Sequence, residues 1–171
     1  GSDQLRQAIA GALATYMEAQ AAYAWTPHAY RRFLPDEFVP VSRSWGYENR
    51  SAAIRVPFAG GQGRRIEFRV PGADANPHLA LACLLASVDH GLEQRLTPPQ
   101  VSKGNACGVK DPGLPWSLRD ALKSMESASI LPSYFGQQSW DILREAKALE
   151  LANFEAVITQ REYDWYLHSD A

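Results

Sequence analysis

The sequence predicts an α+β fold, mostly α-helical, with one small antiparallel sheet. Three observations predict it. Apolar residues recur at helical spacing towards both ends of the chain. Residues 28–75 instead break into short extended pieces between turn clusters. Within that stretch, Arg64–Val70 alternates with period two: Ile66, Phe68 and Val70 share one face, and Arg65, Glu67 and Arg69 share the other.

The elements follow in order. Leu5, Ile9, Ala12, Leu13 and Tyr16 place a helix over about 3–23, with Asp3 as its cap and Trp25-Thr26-Pro27 as its end. Its alanines suit close packing on another helix. Turn residues cluster at 34–37, 44–46 and 59–63, leaving strands at roughly 41–47, 52–57 and 64–70. The Gly-rich stretch 59–63 fits a hairpin that pairs the Ile54 and Phe68 strands antiparallel, and it matches no Walker or dinucleotide pattern. Asn76-Pro77 is an N-cap followed by Pro at the first helical position. The helix after it is apolar on most faces and is expected to be buried. A proline-rich loop covers 96–116. Ser117, with Asp120, caps the next helix, and Leu131–Phe135 is a short turn stopped by Gly136. The last helix is expected from Ser139 to about Tyr166, with Trp140, Leu143, Ala146, Leu149, Phe154, Val157 and Ile158 as its apolar stripe.

Composition narrows the function. The 171 residues suffice for one domain with a core, and the net charge of -2 gives no general attraction to nucleic acid or anionic membrane. The longest strongly apolar run, Leu79–Val88, is about half of the ~20 residues a membrane span needs. Two cysteines, Cys83 and Cys107, make no disulfide framework, so a cytoplasmic protein is expected. Gly1-Ser2 reads as a cloning scar ahead of a piece of a longer protein. The four histidines lack metal-ligand spacing, and His90 and His168 read as surface residues near helix ends.

Between His28 and Val70 there are eight arginines and no lysine, while all four lysines lie beyond residue 100. Only Asp36, Glu37, Glu48 and Glu67 oppose them in that stretch. Arginine offers a rigid fork for carboxylate and phosphate. Three partners suit such a set: nucleic acid, a structural network of acidic side chains, or a nucleoside triphosphate with a carboxylate substrate and a divalent cation on Glu67. Nucleic acid is disfavoured by the acidic net charge and the lack of a recognisable motif. The alternating strand alone also fits a solvent-facing ion-pair ladder.

The runs His28-Ala29-Tyr30-Arg31-Arg32-Phe33, Trp45-Gly46, Asn49-Arg50-Ser51-Ala52-Ala53-Ile54-Arg55-Val56-Pro57, Arg64 to Arg69 and Pro71-Gly72-Ala73-Asp74-Ala75-Asn76-Pro77 carry a family likeness. Their order and spacing over about residues 8–168 resemble the C-terminal part of the glutamine synthetase catalytic domain. The resemblance implies that residues 3–171 are a fragment of that fold, without the N-terminal β-grasp domain and the upstream half of the metal site. It implies ATP and Mg²⁺ or Mn²⁺ as cofactors, glutamate and ammonia or an amine as substrates, and a ring-forming homo-oligomer. It also implies roles. Arg32 and Arg69 match glutamate-binding arginines, and Arg50 matches one between the γ-carboxyl and the phosphates. Arg55 and Arg65 match phosphate-binding arginines, and Glu67 matches a metal ligand.

The departures refine this. Phe38 stands where glutamine synthetases proper have a Glu that handles ammonium. An aromatic ring is no base, but it can line a pocket for a larger amine. Gln62 replaces a nucleotide-site Lys, and Cys107 falls near the position of a regulatory tyrosine. Together these resemble the γ-glutamylpolyamine and γ-glutamylamide synthetase branch, with a catalytically dead structural or binding protein as the alternative. The piece alone is expected to bind ATP weakly, to lack ligase activity and to self-associate through surfaces left bare.

Overall fold

In the computed structural model, the described residues are 2–58 and 63–167. The predicted class is correct: seven α-helices, one 3-10 helix (Pro27–Arg32) and a three-stranded sheet are present among them. The expected first helix is two, α1 (Asp3–Ala14) and α2 (Tyr16–Tyr23). The break falls at Thr15, whose hydroxyl bonds back to the Gly11 carbonyl at 3.1 Å and reaches Ser87 Oγ at 2.5 Å. The α1 cap is the Ser2 side chain, accepting from the Leu5 N–H, and Asp3 sits in the first turn.

The strands are shorter than expected: β1 is Trp45–Tyr47, β2 Ile54–Val56 and β3 Glu67–Phe68. β2 and β3 pair antiparallel, with Ile54 opposite Phe68 as anticipated. β1 and β2 pair parallel, which corrects the all-antiparallel expectation. Parallel neighbours normally need a long crossover. Here the strands are so short that six residues return the chain. Glu48 turns it at φ 47°. The Asn49 side chain then accepts from Ser51 N and Oγ, closing a compact loop. Ile54 emerges beside Trp45 and donates to the Ser44 carbonyl at 3.1 Å.

Helix α3 (Pro77–Glu93) has the expected start, with Asn76 Oδ1 accepting from His78 and Leu79. It lies against α1 where Gly11 meets Gly91 with no room for a side chain. One face stays bare, so the expectation of full burial fails: Leu81 is 55% and Leu85 60% exposed. Helix α4 (Leu118–Glu126) is capped by Ser117 as read, and α5 (Leu131–Phe135) ends at Gly136 with φ 78°. Helix α6 (Gln137–Glu155) starts two residues before Ser139, so that residue is not its cap. It stops at Glu155, and a separate α7 (Gln160–Tyr166) follows behind a Thr159/Glu162 capping box. Trp140 is buried and Leu143 half-buried. The expected stripe fails further on, because Ala146, Leu149, Phe154, Val157 and Ile158 are exposed.

The core sits between the α1–α2 layer, α3–α4 and the inner face of the sheet. Tyr16 and Tyr23 meet the Phe68 ring edge-on at 6.3 and 5.0 Å. Val70 is fully buried, so the apolar face of the alternating stretch does turn inward. Its other face is left to hold charge.

Candidate functional site

Glu67 and Arg55 face each other across the β2–β3 pair, in register. Arg55 Nη1 donates to Glu67 Oε2 at 2.7 Å, and Arg69 Nε lies 3.3 Å from Glu67 Oε1. Arg55 also donates through Nε to Glu48 Oε2 at 3.1 Å, with Nη2 on the same oxygen. The result is an alternating chain, Glu48–Arg55–Glu67–Arg69. The Arg55 guanidinium holds the Glu48 carboxyl below the usual carboxylate range, helped by a hydrogen bond from the Phe58 N–H. The two carboxylates correspondingly raise Arg55.

Arg32 reaches the main chain one residue past Arg69, donating through Nη2 to the Val70 carbonyl. Its guanidinium stacks 4.3 Å from the centroid of Phe33. Burial lowers its basicity, with Tyr16, Asp74 and Tyr30 acting in the opposite sense. Arg32 Nε and Arg69 Nη1 are buried donors with no hydrogen-bond partner among the described residues. Such donors are costly to leave unmet.

A cavity of about 760 Å³ opens between the turn at 34–38, the loop after β1 and the loop at 101–107. Phe38, Arg50 and Glu48 line it. Phe38 is 66% exposed, so most of its ring is free of the rest of the chain. Asn49 Nδ2 closes one side by donating to the carbonyls of Ser102 and Gly104. Among the described residues, four that are not glycine have positive φ, and three of them, Asp36, Phe38 and Glu48, line this cavity. Strain of that kind concentrates at functional sites.

The sequence-predicted residues therefore fall in two linked sets. Arg55, Glu67 and Arg69 are joined by ion pairs, with Arg32 alongside. Arg50 and Phe38 share the cavity. Glu48 belongs to both sets, and sequence reading counted it only as a bystanding charge. Its signal was a pairing across a loop that no local periodicity reveals. Arg65 stands apart, exposed and donating to the Gly63 carbonyl at 3.3 Å. Gln62 lies outside the described residues. The arginine excess is also smaller than the local count suggested. Arg43, Arg55 and Arg69 have carboxylate partners, and that of Arg43 is Asp111, far along the chain. Among the described residues no three His, Cys, Asp or Glu side chains converge as a metal site. Both Glu67 oxygens already face guanidiniums. The residues present do not by themselves hold a divalent cation.

Comparison with known proteins gives this geometry a lineage. Residues 1–166 match the family described as glutamine synthetase, catalytic domain. The chain belongs to that family. It is 36% identical over 168 residues to gamma-glutamylputrescine synthetase PuuA of Escherichia coli strain K12, covering 97% of this chain and 35% of that protein. It is 37% identical over 166 residues to gamma-glutamylethanolamide synthetase GlnA4 of Streptomyces coelicolor, with the same coverages of 97% and 35%. It is 33% identical over 167 residues to a glutamine synthetase of Methanocaldococcus jannaschii, covering 93% of this chain and 37% of that protein. A solved structure described as apo GmaS without ligand superimposes with a TM-score of 0.82 at 25% identity, covering 97% of this chain and 38% of that one. The chain thus spans little more than a third of the length of these relatives. The family is one of ligases. Among the described residues no helix is long and apolar enough to cross a membrane.

Proposed function

We propose that this chain forms one wall of the active site of an ATP-dependent ligase. The ligase phosphorylates the γ-carboxylate of glutamate and joins the activated acyl group to an amine larger than ammonia. In this reading Arg32 and Arg69 hold glutamate, and Arg50 lies between the γ-carboxyl and the phosphates. Arg55 and Arg65 bind phosphate. Glu67 gives one oxygen to a divalent cation whose other ligands come from the rest of the protein. The arginines offset charge on the transferring phosphoryl group, and enclosure keeps water from the acyl phosphate. The amine nitrogen attacks the acyl carbon, phosphate leaves with the C–O bonding pair, and the amine loses a proton.

One observation carries the choice of amine. Phe38 lines a cavity of about 760 Å³, whereas an ammonia-sized guest needs a water-like share of about 30 Å³. The names of the two relatives at 36% and 37% identity, which specify gamma-glutamylputrescine and gamma-glutamylethanolamide as products, support the same direction. The test is an assay of the full-length protein with ATP and glutamate, comparing ammonium with diamines, amino alcohols and monoamines. A clear preference for ammonium would sink the amine reading.

We also propose that this piece alone lacks ligase activity and that the whole protein is a ring-forming homo-oligomer. The lone, already paired Glu67 supports the first point. Exposed Leu81 and Leu85 on α3 fit a face meant for covering, rather than the Ala-rich α1, whose inner face is buried. A second reading is a family member that no longer catalyses. One observation favours it: Arg55 and Arg69 are already ion-paired with Glu67. Phosphate release by the full-length protein given MgATP, glutamate and an amine separates the two, since a dead site releases none.

A further inference from the structure

Two carboxylates line the large cavity, and they differ in how they are neutralised. Glu48 is taken up by Arg55 and by the Phe58 N–H. Asp36 pairs with no cation among the described residues. It is nevertheless held in place. Its N–H donates to the Cys107 carbonyl at 3.0 Å. Its Oδ1 accepts from Asn105 Nδ2 at 2.6 Å. Asn105 is itself fixed, its Oδ1 accepting from the Cys107 N–H at 2.9 Å. The Asp36 backbone sits at φ 63°, and Phe38, two residues on, sits at φ 53°. This turn therefore presents a locked carboxylate and an aromatic ring to the same space. Tyr47 and Val101 extend the apolar lining.

An apolar wall ending in a fixed, uncompensated carboxylate is chemistry for a methylene chain with a hydrogen-bond donor or cation at its far end. The remaining charges on the cavity, Arg50 and Lys103, are cationic and suit the anionic co-substrates instead. Building on the ligase reading above, we infer that Asp36 reads the distal end of the acceptor amine, and that the acceptor is an α,ω-diamine rather than a simple alkylamine. The attacking nitrogen enters neutral at the acyl phosphate. The second nitrogen stays protonated and donates to Asp36 Oδ2. Phe38 and Tyr47 pack the methylenes between them.

The test uses the full-length protein with ATP and glutamate, comparing 1,4-diaminobutane with n-pentylamine, which has the same number of heavy atoms. Wild type is expected to favour the diamine about tenfold in kcat/KM, mostly through KM, which equals about 1.4 kcal/mol. Asp36→Asn keeps the size, the Asn105 contact and tolerance of positive φ, and it is expected to erase that preference through KM with little change in kcat. If Asp36→Asn folds poorly, Asp36→Gly, at home in this backbone region, replaces it. Equal use of the two amines by wild type overturns the inference, as does an undiminished preference in both variants. In either case ligation of amines still proceeds and the ligase reading stands. No ligation with any amine overturns both together.

Discussion

Glu67 accepts a hydrogen bond from Arg55 across paired strands at 2.7 Å. The Arg55 side chain is 16% exposed and that of Glu67 41%. A pair this open to solvent contributes little to folding, because water screens it and two long side chains must be ordered to make it. On the proposed ligase reading, its value lies in what it holds ready. In the full-length protein, Glu67→Gln is expected to lower ATP-dependent ligation about a hundredfold, the usual scale for losing one charge-stabilising group. The melting temperature is expected to move by only about 2 °C. Steady-state kinetics beside calorimetry decides. Normal turnover with a collapsed melting temperature would make the network structural.

Phe38 offers a reciprocal experiment. Phe38→Glu places a carboxylate where the resemblance to glutamine synthetases proper implies one. The expected outcome is about a tenfold fall in kcat/KM for the preferred amine and a rise for ammonium. Both are read from the same coupled phosphate-release assay.

The α1–α3 contact has no slack. A Cβ on Gly11 would meet the Ser87 carbonyl oxygen and come within 2.8 Å of Gly91 Cα. Backbone cannot yield as a side-chain tip can. Gly11→Ala is expected to cost about 3 kcal/mol in urea unfolding, the upper part of the overpacking range. Gly104→Ala provides a contrast. There no atom lies within 4 Å, and the penalty comes from φ 75° alone.

Glu18 ties α2 to the start of α5. Its carboxylate accepts from the N–H groups of Ser129 at 3.2 Å, Ile130 at 3.2 Å and Leu131 at 2.8 Å. Glu18→Ala leaves those donors to water and is expected to cost about 2 kcal/mol. Hydrogen exchange should report the loss locally, with amides 129–131 losing protection before the core does.

Arg43 grips Asp111 through Nε at 2.8 Å and Nη2 at 3.3 Å. This guanidinium, aided by the Gly113 N–H, holds the Asp111 carboxyl below the usual carboxylate range. A depressed folded-state value stabilises the fold above the unfolded carboxyl's titration near pH 4. The contribution drains away as pH falls through the folded value. The stability gap between wild type and Asp111→Asn is thus expected to be constant at neutral pH and to shrink below about pH 4. A gap that widened in acid would contradict it.

Much of this molecule was legible in its sequence, for local reasons. The Asn76 and Ser117 caps, the stop at Gly136 and the inward face of Phe68 and Val70 depend on groups a few residues apart. Other features were not legible, because nearby residues decide them only after the chain has folded back. The break at Thr15 needs Ser87, seventy-two residues away. The bare faces of α3 and α6 carry the same apolar pattern that a buried helix would, so periodicity alone misread them.

The alternating stretch at Arg64–Val70 shows where the division lies. Sequence by itself determined that one face is apolar and the other charged, because successive side chains of an extended chain point opposite ways. It also determined the family, through spaced blocks of arginine. Only the tertiary structure decided which charge meets which. Arg55 and Arg69 converge on Glu67, Arg65 turns away, and Arg43 finds its partner at Asp111. Coulombic pairing depends on distances of a few ångströms between side-chain ends, and those are fixed by strand register and loop closure rather than by order along the chain.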